Sequence, residues 1–185
     1  MKVNIVPLLK KRNLDPKCKN NYRPIALATV ISKLYEKMLL SRYSKYLKTK
    51  DNQFGFKKAT GCELCVFTLR QVISHYTTER TPLYICYLDA SKAFDNVDFS
   101  LLLNKIKDRG IPQLVVEFFR YWFHNQQFQI KWGLLISALF SIEKGVRQGG
   151  ILSPLFFAVY LDEMSAKLKR YGMGCNIAGN ICNLR

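Results

Sequence analysis

Between Pro82 and Ala90 the chain reads LYICYLD, seven residues whose aromatic and β-branched side chains fall on both faces of an extended backbone, with an acid closing the run. An alternating pattern would leave one face to water. This one does not, so the segment predicts a central strand ending at Asp89, covered by helices on both sides. Such a strand needs helices, and the chain supplies them. Val30, Ile31, Leu34, Tyr35, Met38, Leu39, Tyr43, Tyr46 and Leu47 recur at helical spacing, with Lys33, Lys37, Arg42, Lys45 and Lys48 between them. They predict an amphipathic helix from Thr29 whose outer face is cationic. Thr60 and Glu63 form a capping box for a helix running to about Thr78. Asp98 caps FSLLLNKIKDR, which Gly110 stops, and Pro112 suits the first turn of PQLVVEFFRYWFHN. QFQIKWG and SALFSIEKGV read as two antiparallel strands across a short glycine-containing connection. GVRQGG reads as a glycine loop, and Ser153 with Pro154 opens a last helix to about Arg170. Residues 1–28 carry Pro7, Pro16 and Pro24 and are expected to be irregular. No internal repeat or linker interrupts the 185 residues. The expected fold class is therefore α+β, a single domain of helices packed on a small antiparallel sheet.

The charge is lopsided. Of the net +16, three quarters lies in the first 58 residues, where fifteen Lys and Arg face three acids, Asp15, Glu36 and Asp51. A field of that sign attracts polyanions by counterion release, so nucleic acid is the leading partner. No apolar run reaches the ~18 residues of a membrane span; the longest, ILSPLFFAVYL, is broken by Ser153 and Pro154. The opening MKVNIVPLLKKR is too short and proline-broken for a secretory signal, so an intracellular protein with reduced thiols is expected. Cys62 and Cys65 form a C-x-x-C, but zinc needs a second ligand pair. Cys175 and Cys182 are badly spaced for one, and His75 and His124 stand alone.

Asp89 is the residue whose chemistry needs explaining. As a phosphatase nucleophile it would want a second Asp two residues on, where Ser91 stands. A divalent cation suits it better, since Mg²⁺ takes one or two carboxylates plus phosphate oxygens. From these residues alone, a metal ligand and an incidental loop acid remain equally open.

YLDASKAFDNVD resembles the first palm motif of reverse transcriptases, and KGVRQGGILSPLFFAVYLDEM resembles their glycine-loop motif. NNYRPIALATVISKLYEKML and NQFGFKKATGCELCVFTLRQVI are similar, in the right order, to fingers motifs of the non-LTR, LINE-type and jockey-like branch. The four matches run from about Val6 to Gly179. The resemblance implies a right-hand polymerase fold with fingers and a partial palm. Residues 1–81 would be mainly fingers and 82–124 palm with the first metal motif. Residues 125–150 would be a fingers hairpin with the glycine loop, and 151–185 a palm helix and the end of the chain.

The implied activity is RNA-templated DNA synthesis by two-metal nucleotidyl transfer, on an RNA template and a DNA primer with dNTP, in nucleus or cytoplasm. Neither a membrane nor a stable protein partner is expected. The resemblance makes Asp89 the catalytic aspartate and a ligand of Mg²⁺ or Mn²⁺, with the Ala90 carbonyl beside it. Phe94 would be the bulky group under the sugar. Lys57 and Lys58 would approach the triphosphate, Gln148, Gly149 and Gly150 would border nucleotide and template, and Arg147 would contact phosphate or merely cap the loop. Asp95 is read as holding a turn, and Asp162 and Glu163 as the solvent face of the last helix. FKKATGC departs mildly from the family's glycine and polar residues, at Ala59 and Cys62. After GMGCNIAGNICNLR the family continues into an aromatic-x-Asp-Asp hairpin bearing its other metal carboxylates. A truncated domain is thus expected, with weak or no metal binding and no turnover alone; the alternative is a noncatalytic basic RNA-binding remnant or interaction module.

Overall fold

The first 28 residues are not irregular. In the computed structural model, which describes residues 2–57, 59–177 and 180–182, β1 (Lys2–Leu9) and β2 (Tyr22–Leu27) pair antiparallel. Pro7 lies opposite Pro24 in that ladder. The Ala26 amide turns away from β1 to the Gln148 carbonyl at 2.7 Å, so by alternation the Pro24 nitrogen also faces away from β1. A missing N–H removes nothing from such a pair, and that is why prolines fail here as strand breakers.

β3 (Gln127–Trp132) joins β1 in parallel, Val3 beside Phe128, and turns through Gly133, at φ +59, into β4 (Leu135–Ile136). The sheet order is β2-β1-β3-β4. It is a mixed sheet, where a purely antiparallel one was expected. The second hairpin strand is also shorter than SALFSIEKGV suggests. Ser137 pairs with Ile130, its hydroxyl taking the Ile130 amide at 2.9 Å, and Phe140 next pairs with Phe128, so three residues oppose two and the ladder bulges. On one face Val3, Ala26 and Phe128 are buried with Ile5 and Ile142 against them. Gln129 donates to Asn4 at 2.6 Å elsewhere along the same β1–β3 pair.

The helices are α1 (Val30–Tyr43), α2 (Cys62–Thr78), α3 (Phe99–Asp108), α4 (Gln113–His124) and α5 (Ser153–Arg170), followed by a small hairpin of β5 (Cys175–Ile177) and β6 (Asn180–Cys182). The chain divides into two compact units, Met1–Leu47 with Lys92–Phe157, and Lys48–Ser91 with Ala158–Arg185. The core of the first is aromatic. Phe99 stacks on Phe123 at 4.8 Å between centroids, and Phe156 meets Phe119 and Phe123 edge-on. Leu102, Leu103, Ile106 and Val116 are buried with them. Pro112 is the N-cap of α4, one position before the first turn foreseen for it.

Three local expectations need correction. α1 does not bury the face its apolar residues suggest: Val30 and Ile31 are 73% and 80% exposed, with Leu34 and Met38 also exposed, while Ser32, Glu36 and Leu39 are buried. α2 is capped by Gly61 rather than Thr60, whose hydroxyl donates to the carbonyls of Phe54 and Lys57. The third is LYICYLD, which forms no strand; Tyr84 is 91% exposed, and Tyr87 and Leu88 lie open beside it. A strand exists only through a neighbour's hydrogen bonds, and among the described residues no other strand pairs with this segment.

Candidate functional site

The glycine loop is held by backbone contacts from two directions. Segment 94–98 runs against 144–146: the Val146 amide donates to the Phe94 carbonyl and the Gly145 amide to the Val97 carbonyl, both at 2.8 Å. Gly145, at φ +101, lies so close that a Cβ there would meet the Asp95 carbonyl oxygen at 2.9 Å. On the other side Gln148 accepts from Ala26 of β2, and a Cβ on Gly149, at φ +122, would fall 2.6 Å from the Ala26 oxygen. These glycines are therefore required by close backbone approach. The Gln148 amide nitrogen donates to Asp95 Oδ1 at 3.2 Å, and the Asp95 amide closes the turn onto Lys92.

Beside the loop opens a cleft of about 620 Å³, bordered by Pro24, Ala26, Asp95, Phe128, Lys144 and Gln148 among others. Phe94 is half-buried and stacks on Phe157 at 4.9 Å.

Arg147 points the other way. It is buried and ion-paired with Glu36, with its guanidinium 5.4 Å from the Trp122 ring centre. Burial pushes its pKa below the usual guanidinium range, and the Glu36 carboxylate opposes that shift. Arg147, expected either to contact phosphate or merely to cap the loop, has its guanidinium enclosed by α1 and α4. Glu36, read from the sequence only as one acid of a basic region, accepts from Arg147, from the Ile151 amide at 2.6 Å and from the Leu152 amide at 3.1 Å. Its signal was available. Glu36 is the lone acid between residues 16 and 50, and with Ser32 and Leu39 it follows a helical i, i+4, i+7 row.

Asp89, Ala90 and Lys57 belong to the second unit, whereas Phe94, Arg147, Gln148 and Gly149 belong to the first. Asp89 and Ala90 are exposed on the unpaired segment. The Lys57 ammonium donates to the Lys50 carbonyl, and Lys58 lies outside the described residues. Asp162 is buried rather than on a solvent face, because it accepts the Lys50 amide at 2.9 Å, while Glu163 is exposed. Among the described residues no three acidic, His or Cys side chains converge as metal ligands. Cys62 and Cys65 are free thiols. No helix of the described residues is long and apolar enough to cross a membrane.

Residues 9–180 match the family described as reverse transcriptase (RNA-dependent DNA polymerase). The chain belongs to the reverse transcriptase family. Its relatives place this reverse transcriptase domain on the non-LTR retrotransposon branch. It is 28% identical, over 98% of its length, to a probable RNA-directed DNA polymerase from transposon X-element of Drosophila melanogaster. It is 31% identical over 78% of its length to a Pol polyprotein from a type-1 retrotransposable element R2 of Bradysia coprophila, and 27% identical over 87% to an RNA-directed DNA polymerase from mobile element jockey of Drosophila funebris. The chain spans about a fifth of the length of these relatives, 21%, 17% and 18% respectively. Its mixed α/β architecture with a four-stranded sheet is that of this reverse transcriptase segment.

Proposed function

We propose that these residues form the fingers and part of the palm of an RNA-directed DNA polymerase, handling an RNA template, a DNA primer and a dNTP. The observation that carries the reading is the pairing of segment 94–98 with 144–146. It sets Phe94 and Gln148, two residues that match the family's nucleotide site, within one unit, with Gln148 lining the cleft. Gln148 can donate and accept at once, which suits a residue beside a nucleotide. The half-buried Phe94 ring, fixed on Phe157, would stand under the sugar and disfavour a 2′-hydroxyl.

Asp89 and the Ala90 carbonyl would hold Mg²⁺ or Mn²⁺, and Lys57 and Lys58 would meet the triphosphate. The bound metals supply Lewis-acid stabilisation of the attacking and leaving oxygens. One matching carboxylate is too little negative charge for two such ions, so the 185 residues alone do not turn over. The site of action is intracellular.

A second reading is supported by the β1–β2 connection. Asp15 accepts the Lys17 amide within that turn, while Lys11, Arg12, Lys17, Lys19 and Arg23 are exposed. A noncatalytic RNA-binding module would keep this surface and need no metal.

Binding of a primer–template duplex compared with single-stranded RNA separates the two, and primer extension on poly-rA with oligo-dT in Mg²⁺ or Mn²⁺ tests the claim of inactivity. No extension, together with salt-sensitive binding of a primer–template duplex, is the expected result, and extension abolished by Asp89→Ala would overturn the claim of inactivity. Binding of plain single-stranded RNA as tight as of the duplex, unchanged by Gln148→Ala, would favour the binding module.

A further inference from the structure

Glu36 lies in the fingers-like stretch NNYRPIALATVISKLYEKML with no role assigned to it, yet it is 2% exposed and accepts hydrogen bonds from three separate places. Oε1 takes the Arg147 guanidinium and the Ser32 hydroxyl, the latter at 3.4 Å. Oε2 takes the Ile151 and Leu152 amides immediately before α5. One carboxylate thus closes both ends of the stretch 147–152. Gly150 permits the approach, because a Cβ there would fall 3.2 Å from Glu36 Oε2 and 2.5 Å from the Ser153 hydroxyl. Among the described residues the ion-pair partner of Arg147 is Glu36, and its Nη1 is buried without a partner. Arg147 opens a turn that the Gly150 amide closes on the Arg147 carbonyl at 3.3 Å, with Gln148 at the turn's first corner. With Arg147 drawn inward by Glu36, Gln148 is turned outward to Asp95 and the cleft.

We infer that Glu36 is a positioning residue, the tether on α1 that fixes the orientation of Gln148 by holding Arg147 and the amides of Ile151 and Leu152. Its consequence for nucleic acid rests on the polymerase reading above. A carboxylate is needed rather than an amide, because both oxygens accept and Gln offers only one acceptor.

The experiment uses the full chain with Trp132→Phe, leaving Trp122 as the only tryptophan, so that its fluorescence reports the guanidinium beside it. In Glu36→Gln the Ile151 and Leu152 amides should exchange about tenfold faster or more, and the Trp122 emission should shift. Affinity for a fluorescein-labelled RNA–DNA primer–template duplex should fall by about tenfold. The loss must not add to that of Gln148→Ala, because both act through one side chain.

Should Glu36→Gln fail to fold, Glu36→Gln with Arg147→Met removes the uncompensated buried cation and carries the exchange and affinity measurements. Unchanged exchange at 151–152 and unchanged Trp122 emission would overturn the tether. So would fully additive affinity losses, which would mean that Glu36 acts by stability alone. If exchange and emission respond but neither Glu36→Gln nor Gln148→Ala alters duplex affinity, the tether stands and the assignment of this loop to nucleic acid falls.

Discussion

At Gly149 the backbone sits at φ +122 with the Ala26 oxygen where a Cβ would go, and the oxygen belongs to a sheet strand that cannot step aside. Gly149→Ala is therefore expected to cost about 2 kcal/mol or more, read from the urea midpoint. Arg147→Met leaves the Glu36 carboxylate buried without its cation and should cost about 3 kcal/mol, while the double variant with Glu36→Gln recovers much of it. A loss in the double variant equal to the sum of the single ones would show that the two side chains are not coupled. The close approach at the loop's glycines was legible in GVRQGG. The role of Arg147 was not, because a motif states which residue type stands in a loop and leaves open which way it points. Its direction depends on an acid 111 positions earlier in the chain.

Elements fixed by their own residues were read correctly. α3 begins at Phe99 because Asp98 accepts the Leu101 amide at 2.7 Å, and it ends near Gly110 at φ +82. Asp98→Ala should lower stability by about 1 kcal/mol, measured by chemical denaturation; a loss under a few tenths would mean that the cap is idle. α2, α4 and α5 also lie within a residue or so of where caps and prolines put them. Elements that depend on a distant partner were misread. β1 and β2 carry prolines that only their mutual register makes harmless, and LYICYLD has strand-forming side chains with no strand beside it among the described residues. The buried face of α1 belongs in the same class. Its apolar residues mark one face, but Tyr35 packs on Phe118 and Trp122 of α4, and Glu36 reaches the glycine loop, and these contacts set the rotation.

For the whole molecule the dominant quantity is the charge of +16. Binding of a primer–template duplex should weaken linearly in log–log coordinates as salt rises, and Lys57→Ala should reduce that slope by about one. Loss of affinity with no change in slope would assign Lys57 to packing rather than to phosphate. This charge was legible from composition because long-range electrostatics sums over residues and is insensitive to their detailed placement.

The sequence by itself determined the family, the places of the helices and the excess of positive charge, since each rests on residue identities or on contacts a few positions apart. The tertiary structure alone decided the mixed sheet, the rotation of α1, and the pairing of Glu36 with Arg147. Those depend on hydrogen bonds and buried charges meeting across long stretches of chain, where a residue's neighbours in space are unrelated to its neighbours in sequence.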